Sequence, residues 1–184
     1  MRYLIVCGGK IDKEFGLNEI KTDGIDAIIA ADSGMDFLYE NGVTPDIIVG
    51  DFDSATTKAL EFFERKGQTE IHRLNPIKDD TDTEYAIRLA IREGARSIVL
   101  LGATGSRIDH VLGNISLLGI GLESGTDISI IDTNNRIRMA DKPVTIEKSA
   151  QYGRFVSLIA VTDDNEVSLR GFKYPVTDYS FDRF

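Results

Sequence analysis

Ile47-Ile48-Val49-Gly50-Asp51-Phe52-Asp53-Ser54 decides how the rest of the chain reads. Three apolar residues lead straight into two carboxylates one residue apart, and a helical pattern over residues 55–66 follows. The acids therefore fall where a buried strand ends and a helix begins, the edge at which open α/β sheets hold ligands. Strand alternation would send Asp51 and Asp53 to opposite faces, yet a turn after Gly50 can aim both at one point. Two readings stand side by side: Asp53 or Ser54 simply caps the helix, or the acids bind a metal.

The same strand-to-helix grammar recurs on both sides of that stretch. Arg2-Tyr3-Leu4-Ile5-Val6-Cys7 runs into Gly8-Gly9, and Asp26-Ala27-Ile28-Ile29-Ala30-Ala31 runs into Asp32-Ser33-Gly34; both read as buried parallel strands followed by turns. Gly8-Gly9 reads first as a plain turn and only weakly as a phosphate approach. Asp32 occupies the same junction as Asp51, with a helix N-cap as its plainer reading. Residues 12–23 read as polar and irregular, and residues 70–74 as a more polar strand nearer an edge. The helix over residues 55–66 carries Leu60 and Phe63 on one face, which makes its aromatic residues core material.

Further on, Lys78-Asp79-Asp80-Thr81-Asp82-Thr83-Glu84 opens a helix that closes at Gly94. Thr81 and Glu84 fit a capping box, but Asp79, Asp80 and Asp82 are more acid than a cap requires. Ser97-Ile98-Val99-Leu100-Leu101 then leads into Gly102-Ala103-Thr104-Gly105-Ser106-Arg107 and a helix with Ile108, Val111, Leu112, Ile115 and Leu118 on one face. Strand, glycine-containing loop, helix N-terminus and arginine together describe an anion site. It is not a P-loop, because the Gly-Lys-Ser/Thr ending is missing. Asp109 and His110 sit in the first turn, where His110 by itself reads as a structural or surface histidine. Gly113 in mid-helix costs about 1 kcal/mol against alanine, which predicts close packing or a ligand nearby. After a sixth strand at residues 128–132 the texture changes to short strands at residues 144–146, 155–160 and 166–170, with no helical period between them.

The fold class that follows is α/β over residues 1–133, an open and mostly parallel sheet with flanking helices. A small all-β unit follows over residues 134–184. A chain of 184 residues accommodates this division. The one cysteine, Cys7, leaves no intramolecular disulfide and no cysteine-rich zinc site. No apolar run approaches a membrane span or a signal-peptide core, which predicts a cytoplasmic protein without a membrane partner. A net charge of −9 and the lack of basic runs argue against nucleic acid as a partner. A nucleotide remains compatible, because a divalent cation can stand between an acidic site and a polyphosphate.

Four junctions carry acids: Asp32; Asp51 and Asp53; Asp79, Asp80 and Asp82; and Asp109. In a parallel βαβ sheet such junctions share one edge, so the carboxylates can converge. Two like charges at 4 Å repel by about 4 kcal/mol at an effective dielectric near 20, so such a cluster calls for a cation. With all-oxygen donors, that cation is Mg²⁺ or Mn²⁺ rather than zinc.

Ala31-Asp32-Ser33-Gly34, the Pro45–Ser54 stretch, Lys78-Asp79-Asp80-Thr81-Asp82 and the Gly102–His110 stretch together resemble the successive motifs of the thiamine pyrophosphokinase family, in order and spacing, over roughly residues 1–175. The resemblance implies transfer of a pyrophosphoryl group from ATP to the hydroxyl of thiamine, giving thiamine diphosphate and AMP. It also implies an α/β catalytic domain with a small C-terminal all-β sandwich domain, and a homodimer with active sites at the subunit interface. Carried over position by position, it makes Asp51, Asp53 and Asp82 the Mg²⁺ ligands, with Asp109 close to the metal or ordering the Arg107 loop. It places Arg107 and the Thr104-Gly105-Ser106 backbone on the ATP phosphates, and sets Asp32, Ser54, Lys78, Thr81 and His110 along the cleft. Ser33 departs from the glycine usual there in the family. A metal-dependent phosphohydrolase, a non-catalytic nucleotide sensor and a pyrophosphokinase for another alcohol, such as a pterin, are the rival readings. Members of the family continue past a strand like residues 179–184 with a loop that helps form the thiamine pocket and with closing strands. The polypeptide is therefore expected to run about 25–30 residues longer, two or three strands with their turns.

Overall fold

The structure is a computed structural model that describes residues 1–52, 57–75 and 80–183. Its elements in chain order are β1 (Arg2–Val6), α1 (Lys13–Ile20), β2 (Ala27–Ala31), α2 (Gly34–Glu40), β3 (Ile47–Gly50), α3 (Thr57–Lys66), β4 (Glu70–Arg73), α4 (Asp82–Arg92), β5 (Ser97–Leu101), α5 (Ile108–Ser124), β6 (Asp127–Ile131), β7 (Arg136–Arg138), β8 (Asn165–Leu169) and β9 (Val176–Phe181). The chain divides into two compact units, Met1–Tyr152 and Gly153–Phe184.

The first unit holds a seven-stranded sheet in the order β4-β3-β2-β1-β5-β6-β7. Strands β1 to β6 pair in parallel and β7 adds antiparallel to β6. The apolar runs lack alternation because helices cover both faces of the sheet. Along β1, Tyr3, Ile5 and Cys7 join one core with residues of α4 and α5, while Leu4 and Val6 join the other with residues of α2 and α3. Strand β4 is polar because it is an edge strand. The order runs outward from β1 through β2, β3 and β4, then returns to β5 on the other side of β1. The switch point therefore lies between β1 and β5, and the crevice beyond their carboxyl ends is where such sheets bind ligands.

Several sequence expectations change here. Residues 13–20, read as irregular, form α1, because the Asp12 side chain caps it by accepting from the Phe15 N–H at 2.9 Å. On α3, Phe63 is buried as expected, but Phe62 is exposed and packs edge-on against Tyr39. On α5, Leu118 is buried while Ile108 and Leu112 are 68% and 60% exposed. At 3.6 residues per turn, these two lie roughly 110° and 150° around the helix from the buried line through Leu118 and Gly121. A Cβ at Gly113 would meet nothing within 4 Å, so close packing does not explain that glycine.

Gly153–Phe184 contains a two-stranded antiparallel sheet, with Asn165 opposite Phe181 and Leu169 opposite Val176. The strands expected over 144–146 and 155–160 are not formed. Their apolar side chains are instead exposed, Phe155 at 82% and Ile159 at 84%. A strand needs a neighbour to satisfy its backbone groups, and these segments pair with none among the described residues.

Candidate functional site

Three acids from separate parts of the chain converge. Asp32 follows β2, Asp51 follows β3 and Asp82 opens α4; one carboxylate oxygen from each lies within 4.8 Å of the others. All three side chains are half-buried. The backbone that aims them is unusual. Asp32 has φ 49° and Phe52 has φ 63°, left-handed values that cost a non-glycine residue about 1–3 kcal/mol each. Packing imposes them: the Asp32 N–H is tied to the Val49 carbonyl at 2.8 Å. The Phe52 ring packs, partly buried, against the core on the α2–α3 side of the sheet, and its centre lies 5.4 Å from the Arg73 guanidinium carbon. The backbone after Gly50 thus takes a left-handed step at Phe52. Thr81 caps α4 by accepting from the Glu84 N–H at 3.1 Å, which sets Asp82 in the first helical turn.

Sequence reasoning named Asp51 and Asp82 as ligands but gave Asp32 only a place along the cleft. The structure adds Asp32 to the cluster. Its signal was present, since Asp32 sits at the same kind of junction as Asp51. Asp53, Ser54 and Lys78 lie outside the described residues.

The glycine-containing loop meets the end of β1 at the switch point. Gly9 N–H donates to the Gly102 carbonyl at 2.9 Å, and a Cβ at Gly9 would stand 2.3 Å from that same oxygen, so only glycine permits this approach. The diglycine therefore serves loop-to-loop contact. Thr104 is half-buried, and Gly105, Ser106, Arg107, Asp109 and His110 are exposed. Arg107 grips Asp109 through Nε to Oδ1 at 3.3 Å and Nη2 to Oδ2 at 2.6 Å. That hydrogen bond raises the Arg107 pKa and lowers that of Asp109. Both side chains are about two-thirds exposed, so solvent screening leaves the pair weak and an incoming phosphate can displace the carboxylate.

Sequence reasoning missed the residues that hold this loop. Asn114 Nδ2 donates to the Ala103 carbonyl at 2.8 Å, and the Thr104 hydroxyl donates to Asp132 Oδ2 at 2.9 Å. The Asp-Thr-Asn-Asn run at the end of β6 has the composition of a side-chain-capped turn, which was the available signal.

The thiamin pyrophosphokinase catalytic domain family matches residues 21–130, and the thiamin pyrophosphokinase vitamin B1 binding domain matches residues 143–183. Thiamine pyrophosphokinase of Bacillus subtilis is 36% identical over 152 residues, 82% of this chain and 70% of that protein. The crystal structure of the Bacillus subtilis thiamine pyrophosphokinase superposes with a TM-score of 0.84 at 33% identity, covering 97% of this chain and 83% of that one. The corresponding structure from Geobacillus thermodenitrificans gives a TM-score of 0.79 at 28% identity, covering 100% and 84%. The chain belongs to the thiamine pyrophosphokinase family.

Proposed function

We propose that this chain transfers the pyrophosphoryl group of ATP to the hydroxyl of thiamine, giving thiamine diphosphate and AMP. The observation that carries the reading is the convergence of Asp32, Asp51 and Asp82 at the sheet edge that also bears the Arg107 loop. The vitamin B1 binding match over residues 143–183 supports thiamine as the acceptor.

The donor set fits a hard divalent cation. It is all oxygen, carries three formal negative charges, and includes no histidine or cysteine among the described residues. Asp51 and Asp82 would hold Mg²⁺, with Asp32 from the same cluster and Asp53 from the sequence pattern. When bound, Mg²⁺ neutralises charge on the transferring phosphoryl oxygens. The chain's own part is alignment and charge complementarity. Arg107 offers a planar fork to phosphate oxygens once it leaves Asp109, and the backbone of Thr104, Gly105 and Ser106 cradles the phosphates at the start of α5. Ser54, Lys78, Thr81 and His110 are the remaining cleft candidates. Exposed apolar residues such as Phe155, Leu158 and Ile159 favour a homodimer that covers them, with the active site at the subunit interface.

Incubation with MgATP and thiamine tests the reading, with thiamine diphosphate and AMP quantified together. Equal amounts of both products support it. ATP hydrolysis that is indifferent to thiamine would indicate a phosphohydrolase, tight MgATP binding without turnover a sensor, and turnover with a pterin alcohol in place of thiamine a different acceptor.

A further inference from the structure

Asp132, at the carboxyl end of β6, makes contacts out of proportion to a surface turn. Its Oδ1 accepts from the Asn134 N–H at 2.8 Å, the Asn135 N–H at 2.7 Å and Asn135 Nδ2 at 3.0 Å. Its Oδ2 accepts from the Thr104 hydroxyl at 2.9 Å and from Asn135 Nδ2 at 3.2 Å. Its backbone carbonyl accepts from the Tyr152 hydroxyl. Burial pushes its carboxyl pKa up, but the bonds from Asn134, Asn135 and Thr104 outweigh burial and hold it below the usual carboxylate value.

The consequence lies in the loop after β5. Three successive residues are clamped from three different elements: the Gly102 carbonyl by Gly9, the Ala103 carbonyl by Asn114, and the Thr104 side chain by Asp132. Past Thr104, residues 105–107 are exposed. Of the three clamps, only the one at Thr104 joins two side chains, and it is the last before the segment that meets phosphate. A carboxylate near a phosphate loop repels the ligand, so its presence there is explained by geometry rather than by attraction. Because the Thr104 hydroxyl proton is committed to Asp132, the hydroxyl is left with lone pairs only. Phosphate recognition at this residue then falls to its backbone N–H.

We infer that Asp132 is a positioning residue for nucleotide binding: through the Thr104 hydroxyl it fixes the phosphate-facing backbone of residues 104–107. This rests on the proposed ATP site.

Asp132→Asn keeps the size but replaces one acceptor oxygen with an amide donor, which faces donors already in place. The expected result is a roughly tenfold rise in KM for ATP, the scale of one hydrogen bond to a charged group, with KM for thiamine changed less than twofold. Thr104→Val should give a similar rise, and the double variant no more than the larger of the two, since both changes break the Thr104–Asp132 bond. In a Thr104→Ser background, which retains the hydroxyl, Asp132→Asn should again weaken ATP binding. Additive effects in the double variant, or an unchanged KM for ATP beside a lowered melting temperature, would overturn the inference. Backbone amide order parameters in the ligand-free protein test the same claim without any substrate. Residues 104–107 should show lower order parameters in Asp132→Asn than in the parent, and equal values there would overturn it. A parent chain that binds no ATP would instead sink the nucleotide-site reading, and the order-parameter comparison separates the two failures.

Discussion

Neutralising one member of the carboxylate cluster should stabilise the metal-free protein while destroying its activity. Asp51 is the cleanest choice. Asp82 gains from the helix N-terminus that it opens, and Asp32 sits at a strained backbone position. The three carboxylate oxygens lie within 4.8 Å of one another, so Asp51→Asn removes two repulsive pairs. Each pair is worth about 3.5 kcal/mol at an effective dielectric near 20. The groups are only half-buried, and solvent and local hydrogen bonds offset most of that. A net gain of about 1–2 kcal/mol without metal is the expected size, or roughly 2–8 °C in melting temperature for a chain of this length. The assay is thermal unfolding of parent and variant in EDTA and in excess MgCl₂, alongside turnover. In EDTA the variant should melt higher. Added Mg²⁺ should stabilise the parent much more than the variant and so erase the difference. A variant that melts lower in EDTA, or that gains as much from Mg²⁺ as the parent, would refute the claim that these carboxylates form one cation site.

Three further outcomes follow from other parts of the molecule. Arg107→Lys keeps the charge but loses the planar fork, so KM for ATP should rise roughly tenfold, measured by steady-state kinetics; an unchanged value would return Arg107 to a purely structural pairing with Asp109. Burial raises the Cys7 thiol pKa to about 11, against a weaker lowering by the Thr83 hydroxyl. The unfolded thiol ionises first, near pH 9, so folding stability should fall as pH rises from about 9 to 11, by roughly 2–3 kcal/mol. Cys7→Ala should flatten that fall in denaturant titrations, and an identical slope in the variant would contradict it. Sedimentation at micromolar concentration should find a homodimer, and an active monomer would contradict the interface proposal.

The parallel strands were legible because burial on both faces leaves an unbroken apolar run, as in residues 2–7, 47–49 and 97–101. Edge placement of β4 was legible for the complementary reason, its Glu70, His72 and Arg73. Helix α1 was not, since its register depends on the Asp12 cap and on tertiary contacts of Phe15 rather than on a strong apolar period. Of the carboxylates, Asp51 and Asp82 announced themselves by motif. Asp32 shared their kind of strand-to-helix junction, but its left-handed backbone is a feature that no local sequence rule demands. The loop clamps by Asn114 and Asp132 depend on which strands are neighbours, and strand order is a property of the assembled sheet. The C-terminal strands failed for a related reason: a strand forms only when something pairs with it, and residues 155–160 pair with nothing among the described residues.

The central claim is that the β- and γ-phosphorus atoms of ATP leave together for the thiamine hydroxyl. ATP labelled at the β-phosphorus, incubated with thiamine and Mg²⁺, tests it in a single chromatogram. The label is expected in thiamine diphosphate, with AMP unlabelled. Label retained in ADP, which reports transfer of one phosphoryl group, or released as inorganic pyrophosphate with thiamine unchanged, would contradict it.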